Sequence, residues 1–318
     1  MTASLDRRHD QVPEFHGQSM TGKPKMTALV EEIRPGFVAR ISGVDMREPI
    51  SVADVATIQN AVDHHPVLVF HVPGMTNDQQ IRFSRNFGSL ASATEYQKDP
   101  SKRRLGGEMT DASNLSEDSE VLDAGDRRRV NNLGSRRWHT DGSYKRYSGK
   151  YSLLSCHSTI ADGGQTQLAD MRAGYDALPE KMKQLVEGLV LEHSIFHSRA
   201  VVGFTGFSAE EQASLPSAQH PLVRVHPASG RKSLYLSSHA SHVVGWPVPE
   251  GIDLLLELTE WATQPAGVYT HQWQPGDMVM WDNRFTMHRA RRHYPETAVR
   301  DMRRTTIEED VPPLEQAA

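Results

Sequence analysis

Trp138-His139-Thr140-Asp141-Gly142 is the most informative stretch of the chain, and Trp281-Asp282-Asn283-Arg284-Phe285-Thr286-Met287-His288 is its counterpart downstream. Side chains two positions apart in a strand point to the same face, so we expect His139 and Asp141 to lie together. His288 supplies a second imidazole. Two imidazoles and one carboxylate suit a divalent metal such as Fe(II) and leave one side of it open. The pattern therefore predicts a metal centre at these three residues.

The same residues have two other interpretations. His139 and Asp141 can form a local surface pair while His288 is a hydrogen-bonded core histidine, because a His-x-Asp tripeptide is frequent by chance. The same three side chains can also hold Zn(II) and a water molecule, as in a hydrolase. The other histidines, among them His193 and His226, are expected to be structural rather than a second metal site.

Length and composition are those of an ordinary globular chain. The 318 residues include 37% hydrophobic and 24% charged residues, which is enough for a substantial core. The net charge of −5 argues against a general nucleic-acid or membrane-surface role. No apolar run approaches the roughly 18 residues of a membrane-spanning helix, and the single cysteine, Cys156, has no partner for an internal disulfide. These features predict a cytoplasmic enzyme without a nucleic-acid or membrane partner.

The chain divides into a polar start and one large domain. Residues 1–25 carry two prolines and two glycines without sustained periodicity, which predicts a mobile extension. Residues 26–318 are then a single domain, in which the charged, glycine-containing stretch 98–135 predicts a long active-site loop. Many short strand-like runs with inserted helices predict a mixed α/β, mainly β fold of the jelly-roll type.

Individual elements are predicted from periodicity and turn residues. Asn77 is expected to cap a helix, and Pro275-Gly276-Asp277 is expected to close a β-hairpin. The main predicted segments are a helix at Val52–Val62, a strand at Tyr151–Thr159, a strand at Gln165–Asp170, and the two hairpin strands Tyr269–Trp273 and Met278–Trp281.

A set of short motifs, in a fixed order, gives the chain a family resemblance. The motifs are His139-Thr140-Asp141, Gly163-Gly164-Gln165-Thr166, the run 220–227 with Gly230, Trp281-Asp282-Asn283-Arg284, His288-Arg289-Ala290 and the segment 300–305. Over about residues 33–312 the chain resembles the taurine dioxygenase and 2,4-dichlorophenoxyacetate dioxygenase family. The resemblance implies a double-stranded β-helix (jelly-roll) fold with flanking helices. It also implies a dioxygenase that needs Fe(II), 2-oxoglutarate and dioxygen, with the predicted metal set as its iron ligands.

The resemblance also implies roles for polar residues outside the metal set. Arg300 is expected to hold the distal carboxylate of 2-oxoglutarate, assisted by the hydroxyl of Thr166. Arg304 is expected near the iron, where it contacts the C1 carboxylate of 2-oxoglutarate or an anionic substrate, and Arg303 leaves a one-residue ambiguity. The alternative is that these arginines are solvated strand charges and Thr166 is an ordinary strand threonine.

The expected reaction is hydroxylation of a small organic anion, with an aryloxy- or alkyl-carboxylate favoured over taurine. The taurine-specific enzymes that the chain resembles carry a histidine soon after Phe-Gly-x-Leu and an asparagine shortly before the metal motif. Here Phe87-Gly88-Ser89-Leu90 is followed by Ala91-Ser92-Ala93, and Ser135 stands in place of the asparagine. The basic run 102–104 is expected to admit a larger anion. Taurine, alkylsulfonate or sulfate-ester oxidation and a noncatalytic jelly-roll binding protein are the alternatives, and a homo-oligomer, dimer or tetramer, is expected.

Overall fold

The structure is a computed structural model that describes residues 27–93, 100–292, 295 and 297–316. The extension predicted for residues 1–25 lies outside these residues. The strands are β1 Leu29–Arg34, β2 Val38–Ser42, β3 Val67–His71, β4 Thr110–Asp111, β5 Gly149–Ser158, β6 Thr166–Asp170, β7 Val190–His193, β8 Ala218–Pro221, β9 Val223–Val225, β10 Lys232–Leu234, β11 Ala240–Val243, β12 Val268–His271, β13 Asp277–Asp282, β14 Thr286–Ala290 and β15 Asp301–Glu308. The helices are α1 Val52–His64, α2 Asn77–Ser84, α3 Arg127–Asn132, α4 Met171–Asp176, α5 Glu180–Val186, α6 Ile195–Ala200, α7 Ala209–Ser214, α8 Val248–Ala262 and α9 Pro313–Gln316.

Four sheets organise the described residues, and the class is mixed α/β as predicted. The main sheet has seven strands in the order β1-β2-β3-β13-β5-β15-β4. Its neighbouring strands run antiparallel except β2 and β3, which are parallel. A second sheet has the order β12-β6-β14, a third has the order β11-β7-β8, and β10 pairs with β9.

The central part of the main sheet is buried on both faces. Along β13, Met278 and Met280 belong to a core that contains Ile58 of α1 and Phe83 of α2. The alternate residues Val279 and Trp281 belong to another core, which also contains Leu168 of β6. Because side chains alternate along a strand, one face of the main sheet packs against helices and the other against the second sheet.

The predicted hairpin at Pro275-Gly276-Asp277 is wrong. Strand β12 pairs with β6 in the second sheet, whereas β13 pairs with β3 and β5 in the main sheet. The turn therefore carries the chain from one sheet to the other. Gly276 has φ +92°, and a Cβ there would lie 2.9 Å from Pro73 Cα, so the crossing needs glycine.

Most other predicted elements are confirmed. The helix predicted at Val52–Val62 is α1, and the strand predicted at Tyr151–Thr159 is β5. The cap predicted at Asn77 is wrong by one residue, because Thr76 Oγ1 accepts from Gln79 N–H at 3.3 Å and the Gln79 side chain accepts from Thr76 N–H at 2.9 Å. The stretch predicted as a loop contains β4 and α3. Among the described residues, no helix combines the length and apolarity needed to cross a membrane.

Candidate active site

His139 and His288 face each other across an isolated β-bridge. The His139 N–H donates to His288 O at 3.0 Å, and the His288 N–H donates to His139 O at 2.9 Å. Their imidazole centroids are 4.1 Å apart. The strand expected to hold both His139 and Asp141 is absent from this part of the described chain, since Asp141 begins a turn. The turn, and not strand alternation, brings the carboxylate to the imidazoles.

Asp141 completes a compact group with the two histidines. One ligand atom from each residue lies within 4.8 Å of the others. His139 Nε2 lies 3.7 Å from Asp141 Oδ1, and His288 Nε2 lies 3.6 Å from Asp141 Oδ2. Within the described ranges, this is the one group of three or more His, Cys, Asp or Glu side chains with metal-binding spacing. We refer to these three residues as the metal set.

Three buried side chains hold the Asp141 carboxylate in place. Ser152 Oγ donates to Asp141 Oδ2 at 2.8 Å, and Asn283 Nδ2 donates to Ser152 Oγ at 2.9 Å. Asn283 Oδ1 accepts from Asp141 N–H at 3.3 Å and from Trp281 Nε1 at 2.8 Å. Ser152 and Asn283 were not predicted as site residues. For Asn283, the sequence offered one signal: the residue lies two positions after Trp281, inside the downstream motif.

The charge states of the metal set suit a divalent cation. Burial lowers the pKa of His139, and it lowers the pKa of His288 well below its usual value, so both rings are neutral near pH 7. Burial acts to raise the pKa of the Asp141 carboxyl, but the positive charge of Arg304 acts against it, and the net effect lowers that pKa. His139 Nδ1 lies 2.8 Å from Arg137 O; donation to this carbonyl leaves Nε2 unprotonated and facing Asp141.

The side chain of Arg304 contacts the metal set directly. Its guanidinium Nη1 lies 2.5 Å from Asp141 Oδ1, and the side chain is 22% exposed. Arg303, the neighbouring residue on β15, instead donates to both carboxylate oxygens of Asp301 at 3.1 and 2.7 Å and to Asn77 Oδ1 at 2.7 Å. Successive residues of β15 therefore point to opposite faces, and Arg304, not Arg303, lies beside Asp141.

Arg300 presents a buried cation whose described partners are neutral. The residue is 9% exposed; its guanidinium donates to Gly164 O at 3.1 Å and Ala112 O at 3.5 Å, and its Nε has no hydrogen-bond partner among the described residues. Burial lowers the pKa of Arg300 to about 10, which leaves it charged at neutral pH. A buried cation without a carboxylate partner is costly, so the arrangement favours binding of an anion.

Thr166 lies close to Arg300 in the fold. It is the first residue of β6, two positions after the carbonyl of Gly164 that Arg300 contacts, and it is buried. Its hydroxyl oxygen accepts from Trp273 Nε1 at 3.0 Å. The hydroxyl proton can therefore be donated to a further acceptor.

A cavity of about 80 Å³ adjoins Arg300 and is lined also by Ala112, Asn114 and Ala290. Two larger cavities, of about 490 and 580 Å³, lie around Gly43 and His71 and are lined by none of the metal set. Charge and donor geometry, and not cavity volume, therefore locate the candidate site.

The sequence of this chain matches one protein-family model over most of its length. The model is described as Taurine catabolism dioxygenase TauD, TfdA family, and it matches residues 29–306. The chain belongs to the TauD/TfdA family.

Characterised relatives in the TauD/TfdA family resemble the chain closely. It is 43% identical over 282 residues to the alpha-ketoglutarate-dependent 2,4-dichlorophenoxyacetate dioxygenase of Burkholderia sp. (strain RASC), covering 88% of this chain and 94% of the relative. It is 35% identical over 262 residues to the (S)-phenoxypropionate/alpha-ketoglutarate-dioxygenase of Sphingobium herbicidovorans, covering 80% of this chain and 86% of the relative. A solved structure, AAD-2 in complex with Mn(II) and N-oxalylglycine, is 42% identical with a TM-score of 0.87, covering 91% of this chain and all of that chain.

One expectation about the basic run 102–104 is wrong. Arg104 was expected to help admit an anionic substrate, but its guanidinium donates to both carboxylate oxygens of Asp111 and to both of Asp301. Its side chain is 8% exposed. Because two carboxylates neutralise its charge, Arg104 joins two parts of the fold in this TauD/TfdA member and is not available to an anionic substrate.

Proposed function

We propose that this protein is an Fe(II)- and 2-oxoglutarate-dependent dioxygenase that hydroxylates a small aryloxyalkanoate-like carboxylate. The observation that carries the proposal is the metal set of neutral imidazoles and an ionised carboxylate, together with the buried Arg300 cation. Relatives named for 2,4-dichlorophenoxyacetate and phenoxypropionate support the substrate class. The similar structure with Mn(II) and N-oxalylglycine, a compound shaped like 2-oxoglutarate, supports the metal and the cosubstrate.

We further propose that the strands around the metal set form a double-stranded β-helix within one domain, residues 26–318. The packing of the main sheet against the second sheet supports this architecture. The crossing at Pro275-Gly276-Asp277 supports it too, since strands of a jelly roll pass between facing sheets.

The donor set fits iron. His139, His288 and Asp141 would hold Fe(II), because imidazole nitrogen and carboxylate oxygen are ligands that this ion accepts, and three protein ligands leave positions open. Bound there, the ion supplies dioxygen activation coupled to decarboxylation of 2-oxoglutarate to succinate and carbon dioxide. Ser152 and Asn283 fix the carboxylate, so its oxygens need little reorganisation when the ion binds.

The anion-binding residues have separate tasks. Arg300 would hold the distal carboxylate of 2-oxoglutarate, and the Thr166 hydroxyl would donate a second hydrogen bond to it. Arg304 would hold an anion beside the metal set, either the C1 carboxylate of 2-oxoglutarate or the carboxylate of the primary substrate. Holding both molecules against one metal converts their encounter into a reaction within a single complex.

A substrate panel tests the proposal. Purified protein would be loaded anaerobically with Fe(II), mixed with 2-oxoglutarate and oxygen, and offered phenoxyacetate, phenoxypropionate, alkylsulfonates including taurine, sulfate esters and neutral ethers. We expect substrate-stimulated succinate release that is strongest with a phenoxyalkanoate and absent in Asp141→Ala. Taurine or a neutral ether as the best substrate would refute the substrate class, and product formation without oxygen would favour the Zn(II) hydrolase.

Two further expectations stay predictions. A homo-oligomer, dimer or tetramer, is expected, and light scattering of the purified protein measures it directly. Cytoplasmic location is expected from composition alone, and cell fractionation tests it.

A further inference from the structure

Arg104 lies at the centre of a partly buried charge cluster that joins the 100–115 segment to β15. Its guanidinium donates to Asp111 Oδ1 and Oδ2 at 2.8 Å each, and to Asp301 Oδ1 and Oδ2 at 2.8 and 3.0 Å. Asp301 also accepts two hydrogen bonds from Arg303. We name Arg104, Asp111 and Asp301 the Arg104 clasp, because Arg104 joins the two aspartates. The exposed fractions are 8% for the Arg104 side chain and 11% for Asp301.

The Arg104 clasp contributes to the way β4 lies on β15. Thr110 pairs with Arg304 and Asp111 pairs with Arg303, and β4 is only two residues long. These two pairings and the backbone hydrogen bonds from Ala112 N–H to Met302 O and from Asn114 N–H to Arg300 O form a short ladder, which specifies register weakly. Bidentate contacts from one planar guanidinium to both strands fix their relative position, since each fork restricts both distance and angle.

The chain just after β4 holds Arg300. Asn114 Oδ1 accepts from Arg300 N–H at 2.9 Å, Asn114 N–H donates to Arg300 O at 3.2 Å, and Asn114 Nδ2 donates to Ala298 O at 2.8 Å. The guanidinium of Arg300 contacts Ala112 O, and Ala112 N–H donates to Met302 O at 3.0 Å. A shift of β4 along β15 would therefore move the backbone and the guanidinium of Arg300 together.

We propose that Arg104 is a positioning residue for 2-oxoglutarate, which acts through the register of β4 to hold Arg300 in its anion-binding position. The inference rests on the proposed function of Arg300 as the anchor of the distal carboxylate. Arg104 itself does not touch the cosubstrate, because two carboxylates engage all three of its guanidinium nitrogens. The clasp does not contact the Arg304 side chain, which lies on the opposite face of β15 beside Asp141.

Binding of 2-oxoglutarate to Arg104→Ala tests the inference. Binding would be measured by titrating 2-oxoglutarate or N-oxalylglycine into the Mn(II)-loaded protein without oxygen, beside the Michaelis constants and kcat of the Fe(II) enzyme. Removal of a group that orients a metal-binding side chain typically lowers metal affinity by roughly 10- to 100-fold. We expect Arg104→Ala to lower the affinity for 2-oxoglutarate by a similar factor. We expect kcat at saturating 2-oxoglutarate, and the Michaelis constant of the carboxylate substrate, to change less than about twofold. Amide exchange should increase at Ala112 and Asn114.

Arg85→Ala is the matched control. Arg85 donates to both carboxylate oxygens of Glu108 at 2.8 Å, and Glu108 lies on the same 100–115 segment as Arg104. However, the Arg85 and Glu108 side chains are 59% and 43% exposed. Exposed pairs contribute little, so 2-oxoglutarate affinity should be unchanged in this variant. Arg104→Lys keeps the positive charge but cannot make two bidentate contacts, so its affinity for 2-oxoglutarate should lie between those of wild type and Arg104→Ala. If Arg104→Ala fails to fold, Arg104→Lys and Asp111→Asn carry the test, and each is expected to bind 2-oxoglutarate more weakly than wild type.

A double-mutant cycle separates positioning from general damage. Because Arg104 acts through Arg300, adding Arg104→Ala to Arg300→Ala should weaken 2-oxoglutarate binding by less than about twofold. Unchanged affinity in Arg104→Ala, an equal loss in Arg85→Ala, or additive losses in the double mutant would each overturn the inference. A wild-type protein that binds no 2-oxoglutarate would instead refute the proposed function, so the two failures are distinguishable.

Discussion

Replacement of Arg300 by alanine is the sharpest test of the anion site. The guanidinium is buried, stays charged at neutral pH and meets only neutral carbonyls among its described partners. A charge-assisted bidentate contact to a desolvated carboxylate contributes roughly 2 to 4 kcal/mol. Since about 1.4 kcal/mol is tenfold, Arg300→Ala should raise the dissociation constant of 2-oxoglutarate by roughly 30- to 700-fold.

The assay is calorimetric titration of 2-oxoglutarate into Mn(II)-loaded protein, with the Michaelis constant of the Fe(II) enzyme measured in parallel. Arg303→Ala is the matched control, because Arg303 pairs with Asp301 and lies on the face of β15 opposite Arg304. Arg303→Ala should weaken 2-oxoglutarate binding far less than Arg300→Ala. The reasoning is refuted if Arg300→Ala binds 2-oxoglutarate within threefold of wild type, or if Arg303→Ala reproduces the loss.

Three further predictions concern the metal set and the sheets. Asp141→Ala should abolish 2-oxoglutarate turnover and weaken Mn(II) binding while the circular dichroism spectrum stays native; undiminished turnover would show that another carboxylate is the ligand. Asn283→Ala should weaken Mn(II) binding about 10- to 100-fold, because Asn283 positions Asp141 through Ser152; calorimetry measures it, and unchanged affinity contradicts it. Burial acts to raise the pKa of Asp277, but hydrogen bonds from His271 and His71 outweigh burial and lower that pKa. The ionised Asp277 carboxylate therefore stabilises the fold at pH values above its unfolded pKa, and this stabilisation is lost as the pH falls through its folded pKa. Asp277→Asn should therefore cost about 1 kcal/mol in urea unfolding at pH 7, and the difference from wild type should shrink below about pH 4; a constant difference would contradict this.

Much of the fold was predictable because it depends on local patterns. Helix α1 and strand β5 follow from apolar periodicity, which tertiary packing reinforces. The turn at Pro275-Gly276-Asp277 was also recognised, but its partners were not. A turn signal shows that the chain reverses; whether the two strands pair with each other depends on sheets formed by distant segments.

The candidate site was predictable in composition but not in its supporting contacts. The metal set and Arg300 belong to short motifs whose chemistry can be read from residue type and spacing. The contacts of Ser152 and of the Arg104 clasp depend on how β5, β15 and β4 pair, and the Arg104–Asp301 contact joins residues 197 positions apart. No local pattern in the sequence encodes such contacts, and an arginine in a basic run has the same appearance whether it binds substrate or two aspartates.

Turnover under ¹⁸O₂ tests the central claim most directly. Wild-type protein with Fe(II), 2-oxoglutarate and phenoxyacetate would be allowed to react, and the succinate would be analysed by mass spectrometry. A dioxygenase transfers one atom of dioxygen to succinate and the other to the substrate, so we predict one ¹⁸O atom in each succinate and one succinate for each phenoxyacetate oxidised. Unlabelled succinate, or phenoxyacetate consumed at the same rate without oxygen, would contradict the assignment of this site to oxygen-dependent chemistry.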